Sequence, residues 1–164
     1  MLIRNATMAD VAAVAEVERL CFPASEAATE EELRDRIAAY ADCFWLLFEN
    51  DRLVSFIDGM ATDERDLRDE MYADASLHRE KGRWQMIFGL NTVPECRRRG
   101  YAAMLVGRLS EDARKRGRLG MVLTCKEKLV PYYASLGFVD EGISSSTHGN
   151  VAWHQMRLTF ENHE

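Results

Sequence analysis

The turn Arg97-Arg98-Arg99-Gly100-Tyr101-Ala102 follows a β-rich run at 83–93 and opens an amphipathic helical stretch over 95–117. Ala102, Leu105, Val106, Leu109 and Ala113 recur at helical spacing and fall on one face. A second β-rich run, 119–125, comes directly after. Strands joined through a helix imply parallel pairing. The chain is therefore built around a sheet with at least one helix laid on it.

The flanking sequence extends this unit into an α/β pattern. A short edge strand at 2–5 leads to Thr7-Met8-Ala9-Asp10, a capping box with a hydroxyl at the cap and a carboxylate three residues on. Val11, Val14, Val17 and Cys21 then form a helical stripe, which Pro23 ends. Thr29-Glu30-Glu31-Glu32 is a second box, and Leu33, Ile37 and Tyr40 give its helix a buried face. Apolar runs at 43–49 and 53–61 flank Asn50-Asp51-Arg52 as a hairpin. Residues 62–81 are charged and lack an apolar period, the mark of an irregular excursion with one helical turn. A short helix over 130–136 has Pro131 near its start and Gly137 past its end. Runs at 138–144 and 151–160 close the chain as a second hairpin. The order β-α-α-β-β-β-α-β-α-β-β predicts a mixed sheet flanked by helices.

Size and composition narrow the classes. A chain of 164 residues is one domain, 1–164, since each half would struggle to bury a core. No run approaches the ~20 apolar residues of a membrane helix. Met1-Leu2-Ile3-Arg4-Asn5 lacks the basic-then-apolar form of a signal peptide, and the expected compartment is the cytoplasm. The net charge of −6 counts against nucleic acid as the main partner, and no aromatic residues interleave the basic clusters Arg97–Arg99 and Arg114–Arg118. Cys21, Cys43, Cys96 and Cys125 show neither CxxC pairing nor zinc-finger spacing, so free thiols are expected and no metal.

The arginine turn is where the chemistry concentrates. The first turn of a helix offers amides without partners at the positive end of its dipole. Gly100 has no Cβ, so a ligand can approach the backbone, and Ala102 is nearly as small. Three arginines add positive charge. The combination suits a pyrophosphate, although on spacing alone a plain surface turn fits as well. Walker and dinucleotide patterns are excluded by the missing Gly-Lys-Ser/Thr and the single glycine.

The form Arg/Gln-x-x-Gly-x-Gly/Ala after a long strand resembles the acetyl-CoA signature of the GNAT superfamily of N-acetyltransferases. Downstream, Leu129-Val130-Pro131-Tyr132-Tyr133-Ala134-Ser135-Leu136-Gly137-Phe138 is similar to that family's x-x-x-Y-x-x-x-G-F segment. Arg52–Ile57, Ser76–Gly82 and Leu123–Lys126 bring the resemblance closest to the aralkylamine (serotonin) N-acetyltransferase branch. The resemblance implies a mixed, mostly antiparallel, twisted sheet of about seven strands with about four helices and splayed central parallel strands.

For acetyl-CoA it implies a pantetheine arm on the backbone of Leu90 and Thr92, flanking Asn91. The diphosphate would rest on amides of Arg98, Arg99, Gly100, Tyr101, Ala102 and Ala103, with Arg97 opening the motif. Tyr133 matches the general acid that protonates the departing thiolate, and a phenol with a pKa of about 10 is protonated at neutral pH. The aralkylamine enzymes carry two histidines on the strand before the signature. Met86 and Phe88 stand there, so the general base is not identified. Asp58, inside the apolar run Phe56-Ile57-Asp58-Gly59-Met60, is a candidate base or amine binder and equally an outward strand residue. His154 and His78 read as structural, His148 as a turn residue and His163 as terminal.

The resemblance also assigns the acceptor wall to 22–28, 63–81 and 144–153. There Asp63, Glu64, Asp66, Asp69 and Glu70 would favour a cationic amine or simply face solvent. The expected activity is acetyl transfer from acetyl-CoA to a primary amine by direct attack in a ternary complex, with a small-molecule amine favoured. A protein N-terminus or lysine is the alternative acceptor, and a CoA-binding sensor without catalysis the alternative class. A homodimer through the sheet edge or the last hairpin is compatible with the pattern.

Overall fold

The first two helices begin at the hydroxyl caps. The computed structural model describes residues 1–146 and 151–161. After β1 (Leu2–Asn5), Asp10 accepts from the Thr7 amide at 2.8 Å and α1 (Val11–Cys21) follows. Thr29 and Glu32 exchange side-chain-to-amide bonds of 3.1 and 2.9 Å ahead of α2 (Glu30–Tyr40). Each box satisfies donors that a helix start leaves open.

The hairpin β2 (Phe44–Glu49) and β3 (Arg52–Asp58) turns through Asn50 and Asp51, both left-handed, with φ of 50° and 65°. Then come the two-residue β4 (Ala61–Thr62) and the excursion, which holds a single helical turn, α3 (Glu70–Ala73). The run 83–93, expected as one strand, is two: β5 (Trp84–Ile87) and β6 (Gly89–Thr92). They part at Phe88, whose amide donates to the Asp58 carbonyl at 2.7 Å. Gly59 lies against the Met86 carbonyl so closely that a Cβ would sit 1.8 Å from its oxygen. That close crossing is what lets the chain leave one sheet and join another.

The helix expected over 95–117 starts later, as α4 (Tyr101–Lys115). Pro94 opens a separate 3-10 turn, and Arg98 and Gly100 take left-handed φ of 66° and 82°, so helical geometry cannot begin before residue 101. The chain closes with β7 (Gly120–Cys125), α5 (Val130–Ser135), β8 (Val139–Ile143) and β9 (His154–Thr159).

The strands form two sheets. One runs β1-β2-β3-β6, antiparallel throughout. The other runs β4-β5-β7-β9-β8, with only β5 and β7 parallel. Among the described residues no ladder joins β6 to β7, so the central strands splay as expected. α1 and α4 cover the split, burying Val14, Val17, Leu105 and Leu109 against Phe44, Phe56 and Ile57. None of the described helices is long and apolar enough to cross a membrane.

Candidate active site

The splay leaves a cleft beside the start of α4. The first hydrogen bond of that helix runs from the Met104 amide to the Gly100 carbonyl at 3.1 Å. The amides of the preceding turn therefore have no helical acceptor and lie at the positive end of a 15-residue dipole. They border a cavity of about 620 Å³ whose wall holds Leu90, Asn91, Thr92, Arg97, Arg98, Gly100, Tyr101, Ala102 and Ala103. Of the expected cofactor residues only Arg99 is elsewhere: it pairs with Glu49 at 3.2 Å, and Tyr101 donates to the same carboxylate. These contacts tie the turn to the end of β2. The Thr92 carbonyl is directed to the cleft side, accepting from Arg97 Nε at 3.1 Å and Cys21 Sγ at 3.3 Å. Lys126 and Lys128, which sequence reading passed over, add positive charge to the wall.

A second cavity, about 110 Å³, adjoins the first. Phe22, Leu90, Leu129, Tyr133 and Trp153 line both. Tyr133 is nearly buried, with its ring edge-on to Tyr132 and Phe138 at centroid distances of 5.2 and 6.0 Å. Burial pushes its phenol well above the usual tyrosine range, with Cys125 and Tyr132 adding to the effect. The phenol is a proton donor at any physiological pH. Cys125, also on this wall, is pushed up to about 11 by burial and stays a thiol.

The charged groups of the small cavity come mainly from the first two helices and the loop between them. Glu18, Glu26, Glu32 and Arg36 line it. Glu26 is paired with Lys126 at 2.8 Å. Arg36 donates from Nη1 to Asp58 Oδ2 at 3.2 Å and from Nη2 to the Tyr72 carbonyl at 2.9 Å. Glu18 accepts from Asn91 Nδ2 at 2.6 Å and from the Ala28 amide at 2.7 Å. Burial raises the Glu18 carboxyl above its ordinary range, against the lowering effect of the Ala28 amide, Arg36 and Asn91.

Asp58 is fully buried behind Arg36 and lies on the wall of neither cavity. Met86 is in the core, while Phe88 lines the small cavity between the Arg36 guanidinium at 5.1 Å and the tilted ring of Tyr72 at 4.7 Å. His154 pairs with Asp140 at 3.1 Å, and His78 Nδ1 accepts from the Ala61 amide at 3.1 Å, pinning the excursion to β4. His148 and His163 lie outside the described residues.

The three expected wall segments each contribute to the small cavity through Phe22, Glu26 and Ala28, through Tyr72, and through Trp153. The excursion carboxylates do not. Glu64 and Glu70 pair with Arg68, and Asp66 with Arg157 at 2.9 Å. Asp69 accepts from Ser146, and Asp63 from the Arg83 amide at 3.3 Å. Sequence reading missed Glu18 and Arg36, although a signal was present. Each is an ionisable residue on the apolar face of a helix, Glu18 beside Val14 and Val17 and Arg36 beside Leu33 and Ile37.

Comparison with known proteins agrees with this fold. A family model described as acetyltransferase (GNAT) family matches residues 11–138. The chain is 28% identical over 168 aligned positions to the serotonin N-acetyltransferase of Mesocricetus auratus, covering 98% of this chain and 78% of that protein. Its fold is similar to that of the GphF GNAT-like decarboxylase in complex with isobutyryl-CoA, with a TM-score of 0.85 at 19% identity over 97% and 99% of the two chains. It is also similar to the PaiA N-acetyltransferase from Thermoplasma acidophilum in complex with coenzyme A, with a TM-score of 0.72 at 16% identity over 97% and 98%. The matched span takes in both split strands, the arginine turn and Tyr133, and the chain belongs to the acetyltransferase (GNAT) family of acyltransferases.

Proposed function

We propose that the protein transfers the acetyl group of acetyl-CoA to a primary amine by direct attack within a ternary complex, and that the amine is a small cation. The observation that carries this reading is the shared wall: Tyr133 and Leu90 border both a large cleft with a cationic rim and a small pocket with buried carboxylates. Diphosphate oxygens would accept from the amides after Arg97, with Lys126 and Lys128 nearby. The pantetheine arm would run along the outer edge of β6 at Leu90 and Thr92. The thioester would then lie at the common wall.

The small pocket sits over a buried set of two carboxylates, Glu18 and Asp58, and one guanidinium, Arg36. With both carboxyls ionised one negative charge is left over, and an ammonium group would neutralise it. The amine nitrogen, once deprotonated, forms a bond to the thioester carbon. The C–S bond then breaks, and the thiolate takes the Tyr133 proton.

The pocket is smaller than the roughly 150 Å³ cavity that holds a benzene ring, so it accepts the reacting end of an amine and little more. That same feature favours a second reading, in which the acceptor is a lysine side chain or a protein N-terminus whose remainder lies outside. The test is thiol release from acetyl-CoA with a panel of alkylamines, arylalkylamines and peptides. Release that depends on alkylamines supports the first reading, and release with peptides alone supports the second. Coenzyme A binding without turnover on any acceptor marks a sensor.

A further inference from the structure

Acetyl transfer needs a group to take the proton of the incoming ammonium, and the positions where the related branch carries histidines hold Met86 and Phe88. Besides Glu18, seven ionisable groups among the described residues line the small pocket or lie just behind it. Glu26, from the loop after α1, is neutralised by Lys126. Glu32, on α2, is only half-buried and caps the exposed start of its own helix, accepting from the Thr29 amide at 2.9 Å. Arg36, also on α2, is a cation. Asp58, on β3, is screened from the pocket by Arg36. Tyr72, in the excursion, shares a hydrogen bond with Thr124 at 2.9 Å and is pushed up to about 12 by burial. Cys125 on β7 and Tyr133 on α5 hold their protons.

Glu18 is different. It lies on the pocket wall, 5% exposed, and makes no ion pair among the described residues. Asn91 Nδ2 donates to Oε1 and the Ala28 amide to Oε2, which leaves each oxygen a further lone pair. The Asn91 amide is oriented by this contact, since its oxygen would repel the carboxylate. Asn91 Oδ1 is buried and accepts no hydrogen bond among the described residues. Asn91 itself belongs to the strand that lines the cofactor cleft.

We infer that Glu18 is the base of this site, accepting the proton of the ammonium, and that Asn91 is the positioning residue that holds its carboxylate toward the acceptor. The inference rests on the acetyl-transfer reading above. The ammonium gives one proton to Glu18, and the freed nitrogen lone pair makes the C–N bond. The thiolate expelled from the tetrahedral carbon takes the Tyr133 proton, and the second nitrogen proton restores the phenol. Glu18 returns its proton to solvent, so each turnover releases one proton, one thiol and one amide. Burial of the pocket favours the first transfer from both sides, since it disfavours the carboxylate and the ammonium alike.

The test measures amine-dependent thiol release against pH for wild type, Glu18→Gln and Asn91→Ala, with coenzyme A affinity by calorimetry as the check on folding. Glu18→Gln should lower kcat/KM on the order of 10²-fold while coenzyme A still binds. Asn91→Ala removes a donor to the carboxylate, so the acid limb of kcat/KM should move to higher pH. If Glu18→Gln does not bind coenzyme A, the Asn91→Ala profile decides. An active wild type with unchanged turnover in Glu18→Gln, or an unmoved acid limb in Asn91→Ala, overturns this assignment alone. A wild type that releases no thiol with any acceptor overturns the acetyl-transfer reading and the assignment with it.

Discussion

Arg36 Nη1 donates to Asp58 Oδ2 at 3.2 Å, and both side chains are sealed from solvent. Burial raises the Asp58 carboxyl, and the Arg36 charge and hydrogen bond, with the Gly89 amide, oppose that rise. The pair therefore joins α2 to β3 beneath the small pocket. Asp58→Ala leaves a buried guanidinium without its carboxylate and should cost about 3–5 kcal/mol in urea denaturation. Asp58→Asn separates structure from catalysis. Where that variant folds, its activity should keep an acid limb, moved to lower pH because the Asp58 charge no longer raises the Glu18 carboxyl, and loss of the limb would give the base role to Asp58.

Tyr133 stands where the two cavities meet. Tyr133→Phe should lower kcat by about 10²–10⁴ with coenzyme A affinity retained, read by stopped assays and calorimetry. Its phenol is raised by burial, so the donating form persists past the ordinary tyrosine pKa of about 10. Wild-type kcat should accordingly show no alkaline fall from this group below that pH.

Gly100 has a φ of 82°, and a Cβ there would meet no atom within 4 Å. The cost of a side chain is thus backbone strain and intrusion on the cleft, with no clash inside the protein. Gly100→Ala should lose about 1–2 kcal/mol of stability. Gly100→Trp should abolish coenzyme A binding in calorimetry while the circular dichroism spectrum stays native.

Asp10 accepts from Arg4 at 2.8 Å and from the Thr7 amide, and its carboxyl falls from 3.8 to about 2, chiefly through the Arg4 hydrogen bond. A lowered carboxylate pKa stabilises the fold above the unfolded value, and the effect is lost as pH falls through the folded one. The contribution is about 2 kcal/mol at neutral pH and should vanish between about pH 4 and pH 2. Thermal denaturation of wild type and Asp10→Asn should show a gap that closes over that window.

Much of the fold was legible because local signals repeat along the chain. The boxes at Thr7 and Thr29 mark helix starts through short-range hydrogen bonds, and the stripe from Ala102 to Ala113 marks α4. The arginine turn and Tyr133 were legible as motifs. The break at Phe88 was not, because it depends on Asp58 and Gly59 arriving from a distant strand. Nor was Asp66 readable as spent on Arg157, since that pair forms only when β9 returns beside the excursion.

The amino-acid order by itself determined where the first two helices start, which faces are apolar, and that an amide-rich turn precedes α4, because each rests on contacts a few residues long. Only the tertiary structure decided that Glu18 lines the small pocket. Glu18 and Asn91 are 73 positions apart, and their 2.6 Å contact exists only once α1 is packed across the split sheet, where burial gives a carboxylate its raised proton affinity.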